Sequence, residues 1–289
     1  MLPEAQVLTH DLHHRWLAAG RDQGAFARLA QDCLLEHPLW QATTMRHFAN
    51  TLREPGIICE QFDVHGAVGR APLTLAVAPE NAFYVTAAIW FSEDMAIHDH
   101  NFVGAFAVAS GDCRHSVYNY DVEVSLGDLD VGSLTATVNE PLVPGTVRPI
   151  LSGRDFIHKN VHLTKPTLTI VVAAPVDGVP RQQYLSSGVS LMSKPPDTVA
   201  RRLHLLAALL RVNDPEAVDF MRSVLGRPVS AAEWFRAVHT WHRCRPDAQE
   251  LTDMVAATPS PFGSSVSSAL LQAVFHDLRY KRTDQRAVC

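Results

Sequence analysis

Two histidines separated by a single residue are the side chains in this sequence best placed to do chemistry. His98 and His100 lie in the segment Ile97-His98-Asp99-His100-Asn101. Residues two apart in an extended segment point to the same face, so both imidazoles can bind one metal ion from one side. A third histidine, His158, precedes another apolar run far along the chain. Imidazole binds iron, zinc, copper and nickel alike, so this pattern predicts a divalent-metal site without choosing the metal.

The third ligand has two candidates in the sequence. His158 and His162 lie four residues apart in one short β-prone segment, so both project from the same face. We favour His158 as the ligand because it follows directly on the turn at residues 153–156. His162 then lines the same cavity and assists from beside the metal. Chance, or a hydrogen-bonded pair of core histidines, would also produce the spacing of His98 and His100; the β-rich surroundings favour the metal interpretation.

Short β-prone runs separated by turn signals must position these histidines. Turn residues such as Pro144-Gly145 separate the runs, and no helical period lies between them. Many short strands at this spacing predict a barrel or sandwich, and we place a β-barrel domain over residues 57–185. The runs lie at residues 73–77, 83–91, 104–109, 116–124, 133–138 and 168–173.

Both ends of the chain have helical patterns instead. Apolar residues recurring every three or four positions predict a helical segment over residues 1–56. After a proline-containing linker, a second helical region is predicted over residues 195–289. Within it, Ser230 and Glu233 have the spacing of a capping box, in which two side chains satisfy the first amide groups of a helix.

Composition excludes several classes of protein. The net charge of −5 provides no basic surface for nucleic acid. The five cysteines contain no CxxC pair, which argues against a disulfide framework and favours a reducing compartment. The longest apolar runs are far shorter than a bilayer requires, and no basic, apolar leader opens the sequence. We therefore predict a cytoplasmic protein without nucleic-acid or membrane partners; the oligomeric state stays open.

With these motifs the chain resembles the cysteine dioxygenase family of thiol dioxygenases, which are cupins. The resemblance covers roughly residues 70–175 and rests on the apolar strand Phe83–Trp90 leading into Ile97-His98-Asp99-His100. Ser110-Gly111 resembles the strand-ending turn of that family, and His158 followed by Lys165-Pro166 resembles its third-histidine segment. The implied fold is a mostly β cupin, or jelly-roll, barrel, to which this chain adds helices at both ends.

The resemblance also implies a chemistry. It implies Fe(2+) bound by His98, His100 and His158, a small-molecule substrate that chelates the iron, and dioxygen as the second reactant. Arg70 lies upstream at about the distance where the family has an arginine for the substrate carboxylate. A guanidinium suits that role because its two parallel N–H groups match the two carboxylate oxygens.

Gly104 stands where the typical glycine-rich cupin pattern has a glutamate, so no carboxylate ligand is available there. The chain departs from the thiol dioxygenase pattern in its added helical segments and at two points after the histidine pair. Asn101-Phe102-Val103 is bulkier and more apolar than the small polar residues usual after the histidine pair. No cysteine closely follows His100 that could form a thioether crosslink to a tyrosine. These departures point to a larger or aromatic substrate rather than to a different metal site.

From these residues and from what the resemblance implies, we predict an iron-dependent dioxygenase that oxidises a small thiol- or amino-acid-type substrate. The candidate catalytic residues are Arg70, Tyr118 and His162; a tyrosine near the iron would donate a proton or a hydrogen bond. Two alternatives stay open. One is a redox-silent metal-dependent cupin acting as an isomerase, lyase or hydrolase. The other is a non-catalytic cupin that binds a small molecule.

Overall fold

The structure is a computed structural model that describes residues 3–53, 73–91 and 96–286. Arg70, the expected carboxylate-binding arginine, lies outside these ranges. The helices before the strands are α1 (Pro3–Ala18), α2 (Gln23–Glu36), α3 (Leu39–Ala42) and α4 (Met45–Arg53). The helices after the strands are α5 (Asp197–Arg211), α6 (Glu216–Gly226), α7 (Ala231–Cys244), α8 (Ala248–Ala257) and α9 (Ser264–Arg286).

The strands between these helical segments form two sheets. They are β1 (Leu73–Val77), β2 (Tyr84–Trp90), β3 (Ile97–His98), β4 (Phe102–Ser110), β5 (Cys113–Ser125), β6 (Leu129–Leu142), β7 (Val147–Ile150), β8 (Ile157–His162), β9 (Thr167–Pro175), β10 (Gln182–Tyr184) and β11 (Val189–Met192). One sheet has the strand order β1-β2-β9-β4-β7, and the other is a closed barrel with the order β10-β11-β6-β5-β8-β3. The predicted β barrel with helical segments at both ends is confirmed.

Helices α1 and α2 are held by an apolar core that they share with β1, β2, β4 and β9. Leu8, Leu12 and Phe26 on the two helices are fully buried in this core, as is Phe83 just before β2. The rings of Phe26 and Phe83 lie 5.3 Å apart at a tilted angle. The apolar stripe of the first helical segment therefore covers one face of the five-stranded sheet.

Strand β4 is apolar on both faces because both faces are buried. Val103 and Ala105 belong to the core shared with α1 and α2. Phe102 and Phe106, which alternate with them, belong to a second apolar cluster on the opposite face. This explains the unbroken apolar run that follows the histidine pair in the sequence, since a strand with one exposed face would alternate with polar residues. The second cluster forms one wall of the site described below.

Contacts divide the chain into two compact units. The first comprises residues 1–119 and 135–181, and the second comprises residues 120–134 and 182–289. This differs from the predicted division at residues 56 and 185–195. The N-terminal helices do not form a separate body, because their apolar side chains share one core with the strands.

The second unit is built around buried aromatic residues of α7. Trp234 and Trp241 are 1% and 0% exposed, as their helical spacing indicates. The predicted cap is present, with the second bond of the box shifted by one residue: the Ser230 hydroxyl accepts from the Glu233 amide at 3.2 Å. The Glu233 carboxylate in turn accepts from the Val229 amide at 2.6 Å. The start of α7 is thus set by its own sequence. Among the described residues, no helix has both the length and the apolar character needed to cross a membrane.

Candidate metal centre

Three buried histidines come together in the first unit. His98 on β3 lies directly opposite His158 on β8 in the antiparallel pairing of the two strands. Directly opposed residues project to the same face, so the pairing brings the two imidazoles together. Strand β3 ends at His98, and His100 lies in the connection that follows, where its carbonyl accepts from the Gly153 amide at 2.7 Å. One potential ligand atom from each histidine lies within 4.8 Å of those of the other two.

The ring nitrogens of these histidines lie close enough together to be candidate ligands of one ion. His98 Nδ1 donates to the Ala96 carbonyl oxygen at 2.7 Å, so a neutral His98 has its lone pair on Nε2. The Nε2 atoms of His100 and His158 lie 2.9 Å apart. Two nitrogens bound to one ion, each at about 2.1 Å, are at most about 4.2 Å apart. The Nε2 atoms of His100 and His158 therefore already satisfy the separation that a shared divalent ion imposes.

Phenyl rings surround the three histidines. Phe102 lies 4.5 Å from the His100 ring, and Phe156 lies 4.8 Å from the His158 ring, measured between centroids. Phe106, on the wall formed by β4, lies 6.0 Å from the His158 ring. All three histidines are less than 9% exposed. This apolar surround keeps water away from the imidazoles and holds their rings in place.

A fourth histidine and an ion pair continue from His158. His115 on β5 is 1% exposed, and its Nε2 lies 3.1 Å from His158 Nδ1. Its other nitrogen, Nδ1, lies 3.1 Å from an Oε1 atom of Glu140 on β6. Arg148 on β7 donates to both Glu140 oxygens, at 2.8 and 2.6 Å. Four side chains from four strands thus form one continuous hydrogen-bonded series.

The protonation states in this series follow from burial and charge. Burial is the main cause that holds the pKa of His158 well below its usual range, and the nearby His98, His115 and Arg181 side chains lower it further by electrostatic repulsion of a protonated His158 ring. Burial also lowers the pKa of His115, although the hydrogen bond with Glu140 opposes this. The hydrogen bonds from Arg148 lower the pKa of Glu140 to about 2. At neutral pH the two histidines are therefore neutral and Glu140 is a carboxylate.

Asp99, between the two histidines of the pair, interacts with an arginine rather than joining the metal site. Asp99 is 1% exposed, and its charge opposes the lowering of the Arg181 pKa that burial causes. It does not belong to the group of side chains whose ligand atoms converge.

The absence of a carboxylate at position 104 has a backbone reason. A Cβ atom on Gly104 would lie 1.8 Å from the carbonyl oxygen of Val172 on the neighbouring strand β9. No side chain fits at that separation, so a glutamate ligand at this position is incompatible with the packing of β4 against β9.

His162 is not brought to the three histidines. Its ring stacks on Trp90, with centroids 5.0 Å apart and an interplanar angle of 12°. Its Nδ1 lies 3.2 Å from the Sγ atom of Cys113, whose pKa burial raises to about 11. The convergent group contains His158 instead. His162 thus belongs to a buried Trp–His–Cys contact at the end of β8.

Tyr118 lies on the other face of its strand. It is opposite Ile157 in the β5–β8 register, whereas Val117 is opposite His158. Because successive residues alternate between faces, Tyr118 projects away from the face that carries His158. The position of Tyr118 therefore does not suit the proton-donating role predicted for it. Arg70, the remaining predicted catalytic residue, lies outside the described residues.

Sequence reasoning assigned no role to four residues around the site. Glu140 and Arg148 lie on strands with no recognisable motif, and His115 lies on a β-prone run that drew no prediction for it. Asn160 was missed as well: it lies opposite His115 in the register, and its Oδ1 is buried without a hydrogen-bond donor among the described residues. Alternation places Asn160 on the same face as His158. The available signal was the alternation of side chains along a strand, since His115 and His158 each occupy an inward position of a β-prone run.

A second group of potential ligand atoms lies on the N-terminal helices. Asp11, Glu36 and His37 also have convergent ligand atoms. Arg15 lies among them and forms salt bridges with Asp11 at 2.8 Å and with Glu36. His37 Nε2 contacts the Asp11 carboxylate at 2.8 Å. Arg15 already forms ion pairs with both carboxylates, so we interpret the group as an ion-pair network on the helix surface.

Comparisons with known proteins yield structural similarities only. No family model and no curated protein matches the chain. A conserved double-stranded β-helix protein of Klebsiella pneumoniae is 16% identical, with 46% of this chain and 92% of that one covered and a TM-score of 0.27. A cupin-superfamily sugar phosphate isomerase of Silicibacter pomeroyi is 18% identical, with 43% of this chain and 77% of that one covered and a TM-score of 0.26. KdgF from Halomonas sp. is 15% identical, with 40% of this chain and 88% of that one covered and a TM-score of 0.27. Similarities this weak carry no weight for the function of this chain, although these structural neighbours include cupin-superfamily proteins.

Proposed function

We propose that this protein is a mononuclear metal enzyme in which His98, His100 and His158 bind one divalent ion. The observation that carries the proposal is the convergence of three buried histidines whose ligand atoms lie within 4.8 Å of one another. Each of the three imidazoles is buried and within hydrogen-bond distance of a polar neighbour, and neutral imidazole is the form that binds a metal ion.

For the reaction, we propose oxidation of a small thiol- or amino-acid-type substrate by dioxygen, with iron(II) as the metal. Bound ferrous iron would supply the oxygen chemistry. Three neutral ligands leave the positive charge of a divalent ion uncompensated, which favours a substrate with an anionic donor atom such as a thiolate or carboxylate. We carry Arg70 forward as a proposed partner for a substrate carboxylate.

The side chains around the histidines fit this proposal. Phe102, Phe106 and Phe156 exclude water from the imidazoles, and a water-poor site limits side reactions. The buried Oδ1 of Asn160 offers a hydrogen-bond acceptor on the face that carries His158. Buried polar atoms are nearly always paired, so this oxygen suits a donor such as a substrate ammonium group. We assign Asn160 the role of orienting the substrate, in place of Tyr118.

A redox-silent metal enzyme is the second candidate. The observation that favours it is the Glu140–His115–His158 series, since carboxylate-supported histidines also occur around catalytic zinc. In that case the ion would act as a Lewis acid for isomerase, lyase or hydrolase chemistry. A reducing cytoplasm, which leaves the cysteines as thiols, is the compartment we propose for either reaction.

Elemental mass spectrometry of protein purified without added metal tests the proposal. We expect about one iron per chain in the wild type and its loss in His100→Ala. His14→Ala is the matched control, because it removes an exposed histidine on α1 and should keep the metal. Oxygen uptake on addition of thiols and amino acids, absent in His100→Ala, would support the dioxygenase. Stoichiometric zinc or nickel without oxygen uptake would favour the redox-silent enzyme, and equal metal content in the wild type and His100→Ala would overturn the three-histidine site.

A further inference from the structure

Glu140 does not contact the three histidines, yet the hydrogen bonds that begin at its carboxylate end at His158. We propose that Glu140 is a positioning residue: acting through His115, it holds His158 in the tautomer that presents an Nε2 lone pair to the metal. This inference rests on the proposed metal site. It adds to that site a control element, formed by Arg148, Glu140 and His115, that lies outside the ligands.

The direction of the hydrogen bonds begins with Arg148. Its guanidinium has only donors, and it donates to both oxygens of Glu140, at 2.8 and 2.6 Å. A further N–H of Arg148 donates to the Val147 carbonyl at 2.9 Å, which fixes the guanidinium against its own strand. This bidentate pairing keeps Glu140 ionised, and an ionised carboxylate has only acceptors. Whatever else contacts Glu140 must therefore donate to it.

His115 is the group that donates to Glu140. Its Nδ1 lies 3.1 Å from the Glu140 oxygen, so the ring proton must be on Nδ1. The ring is 1% exposed and lies about 6 Å from both Phe106 and Phe156, an apolar setting that favours the neutral form. A neutral imidazole protonated on Nδ1 has a lone pair on Nε2. That Nε2, 3.1 Å from His158 Nδ1, can only accept.

His158 must consequently carry its proton on Nδ1. Its Nε2 then has the lone pair that a metal requires. The reverse order, in which His115 donates to His158, would place the His158 proton on Nε2 and block coordination. Glu140 thus excludes the unproductive tautomer of His158 through one intervening side chain, His115. Because the Nδ1 proton of His158 is donated along this series toward a carboxylate, His158 also becomes a more basic metal ligand.

The same reasoning assigns the hydrogen bond between His100 and His158. Their Nε2 atoms are 2.9 Å apart, so in the metal-free protein one of them donates. Since His158 Nε2 is an acceptor, His100 Nε2 must be the donor. Metal-free protein is therefore expected to have His158 protonated on Nδ1 and His100 protonated on Nε2. This asymmetry between two ligands of one site is observable without any metal.

Nitrogen NMR of metal-free protein with ¹⁵N-labelled histidine is the first test. The wild type should show His158 as the Nδ1–H tautomer, assigned by its disappearance in His158→Ala. Glu140→Gln removes the carboxylate that can only accept, so the direction of the hydrogen bonds is no longer fixed. His158 should then become a mixture of tautomers. An unchanged His158 tautomer in Glu140→Gln would overturn the proposal, whether or not the protein binds metal.

Cobalt(II) titration of the metal-free protein, followed by absorption, is the second test. Glu140→Gln should weaken cobalt binding by about 10- to 100-fold, the usual effect of removing an outer partner of a ligand. Glu123→Gln, which removes one negative charge from an exposed position on β5, is the matched control and should bind as the wild type does. The decisive comparison uses His115→Phe, which interrupts the hydrogen-bonded series. In that background Glu140→Gln should cause no further loss of cobalt affinity.

The outcomes separate the inference from the proposed function. An equal loss of affinity on Glu140→Gln in the wild-type and His115→Phe backgrounds would show that Glu140 acts without His115, and would overturn the inference while leaving the metal site intact. Failure of the wild type to bind cobalt or iron at all would overturn the metal site. In that event the tautomer measurement still supports or refutes the role of Glu140.

Discussion

Replacement of Arg148 by methionine should make the stability of this protein less dependent on acidic pH. Arg148 is the largest cause of the lowered pKa of Glu140, which falls from 4.5 to about 2. Methionine retains much of the aliphatic volume of arginine but removes the donors and the charge. The Glu140 carboxyl then returns toward its ordinary pKa, apart from the smaller contribution of its hydrogen bond with His115.

The magnitude follows from the difference between the two pKa values. A difference of about 2.5 pH units at 1.36 kcal/mol each corresponds to about 3 kcal/mol. The Glu140 and Arg148 side chains are 26% and 35% exposed, so solvent screening reduces the expected contribution to roughly 1–2 kcal/mol. Because the folded-state pKa is depressed, this stabilisation is complete above pH 4.5 and is lost as the pH falls toward 2.

Urea unfolding of both proteins at pH 7 and at several values down to about pH 3 measures the effect. We expect Arg148→Met to be less stable by roughly 1–2 kcal/mol at pH 7 and the difference to shrink steadily below pH 4.5. Arg114→Met, which removes a positive charge from an exposed position on β5, should show no such convergence. A difference between wild type and Arg148→Met that stayed constant with pH would refute the electrostatic account and leave only packing.

Three further predictions concern the site and its supports. Asn160→Leu should raise the KM for whichever thiol or amino acid the oxygen-uptake screen identifies while leaving the metal content unchanged; lost metal would instead make Asn160 part of the metal site. Gly104→Ala should destabilise the fold by more than about 2 kcal/mol in urea unfolding, since its Cβ would lie 1.8 Å from the Val172 carbonyl oxygen, whereas Gly24→Ala on α2 should be tolerated. Ser230→Ala should cost about 1 kcal/mol by loss of the α7 cap without altering the metal content, and an unchanged unfolding midpoint would contradict that role.

The local features of the chain were predictable because they depend on neighbouring residues. The cap of α7 depends on Ser230 and Glu233, which are three residues apart, and it formed as expected. The closeness of His98 and His100 depends on their two-residue spacing, although only His98 lies in a strand and His100 lies in the connection that follows. The β-prone runs and their turns were equally local, and they were sufficient to predict a barrel with helical ends.

The errors and omissions concern relations between distant strands. Tyr118 was assigned a role from its type alone, and the β5–β8 register then placed it opposite Ile157, away from His158. His162 shares the parity of His158, but a strand rises about 3.3 Å per residue, so four residues carry it about 13 Å along β8 to Trp90 and Cys113. Parity identifies a face, and it does not identify a position along the strand.

The sequence by itself determined that two histidines lie close together, that strands with apolar residues surround them, and where helices begin. The tertiary structure alone decided that His158 faces His98, because a strand pairing links residues sixty positions apart. It also decided that Glu140 on β6 accepts a hydrogen bond from His115 on β5. Short-range patterns follow from backbone geometry, which is local and does not depend on distant parts of the chain. The partners of a buried polar group follow from strand register and packing, which are properties of the whole chain.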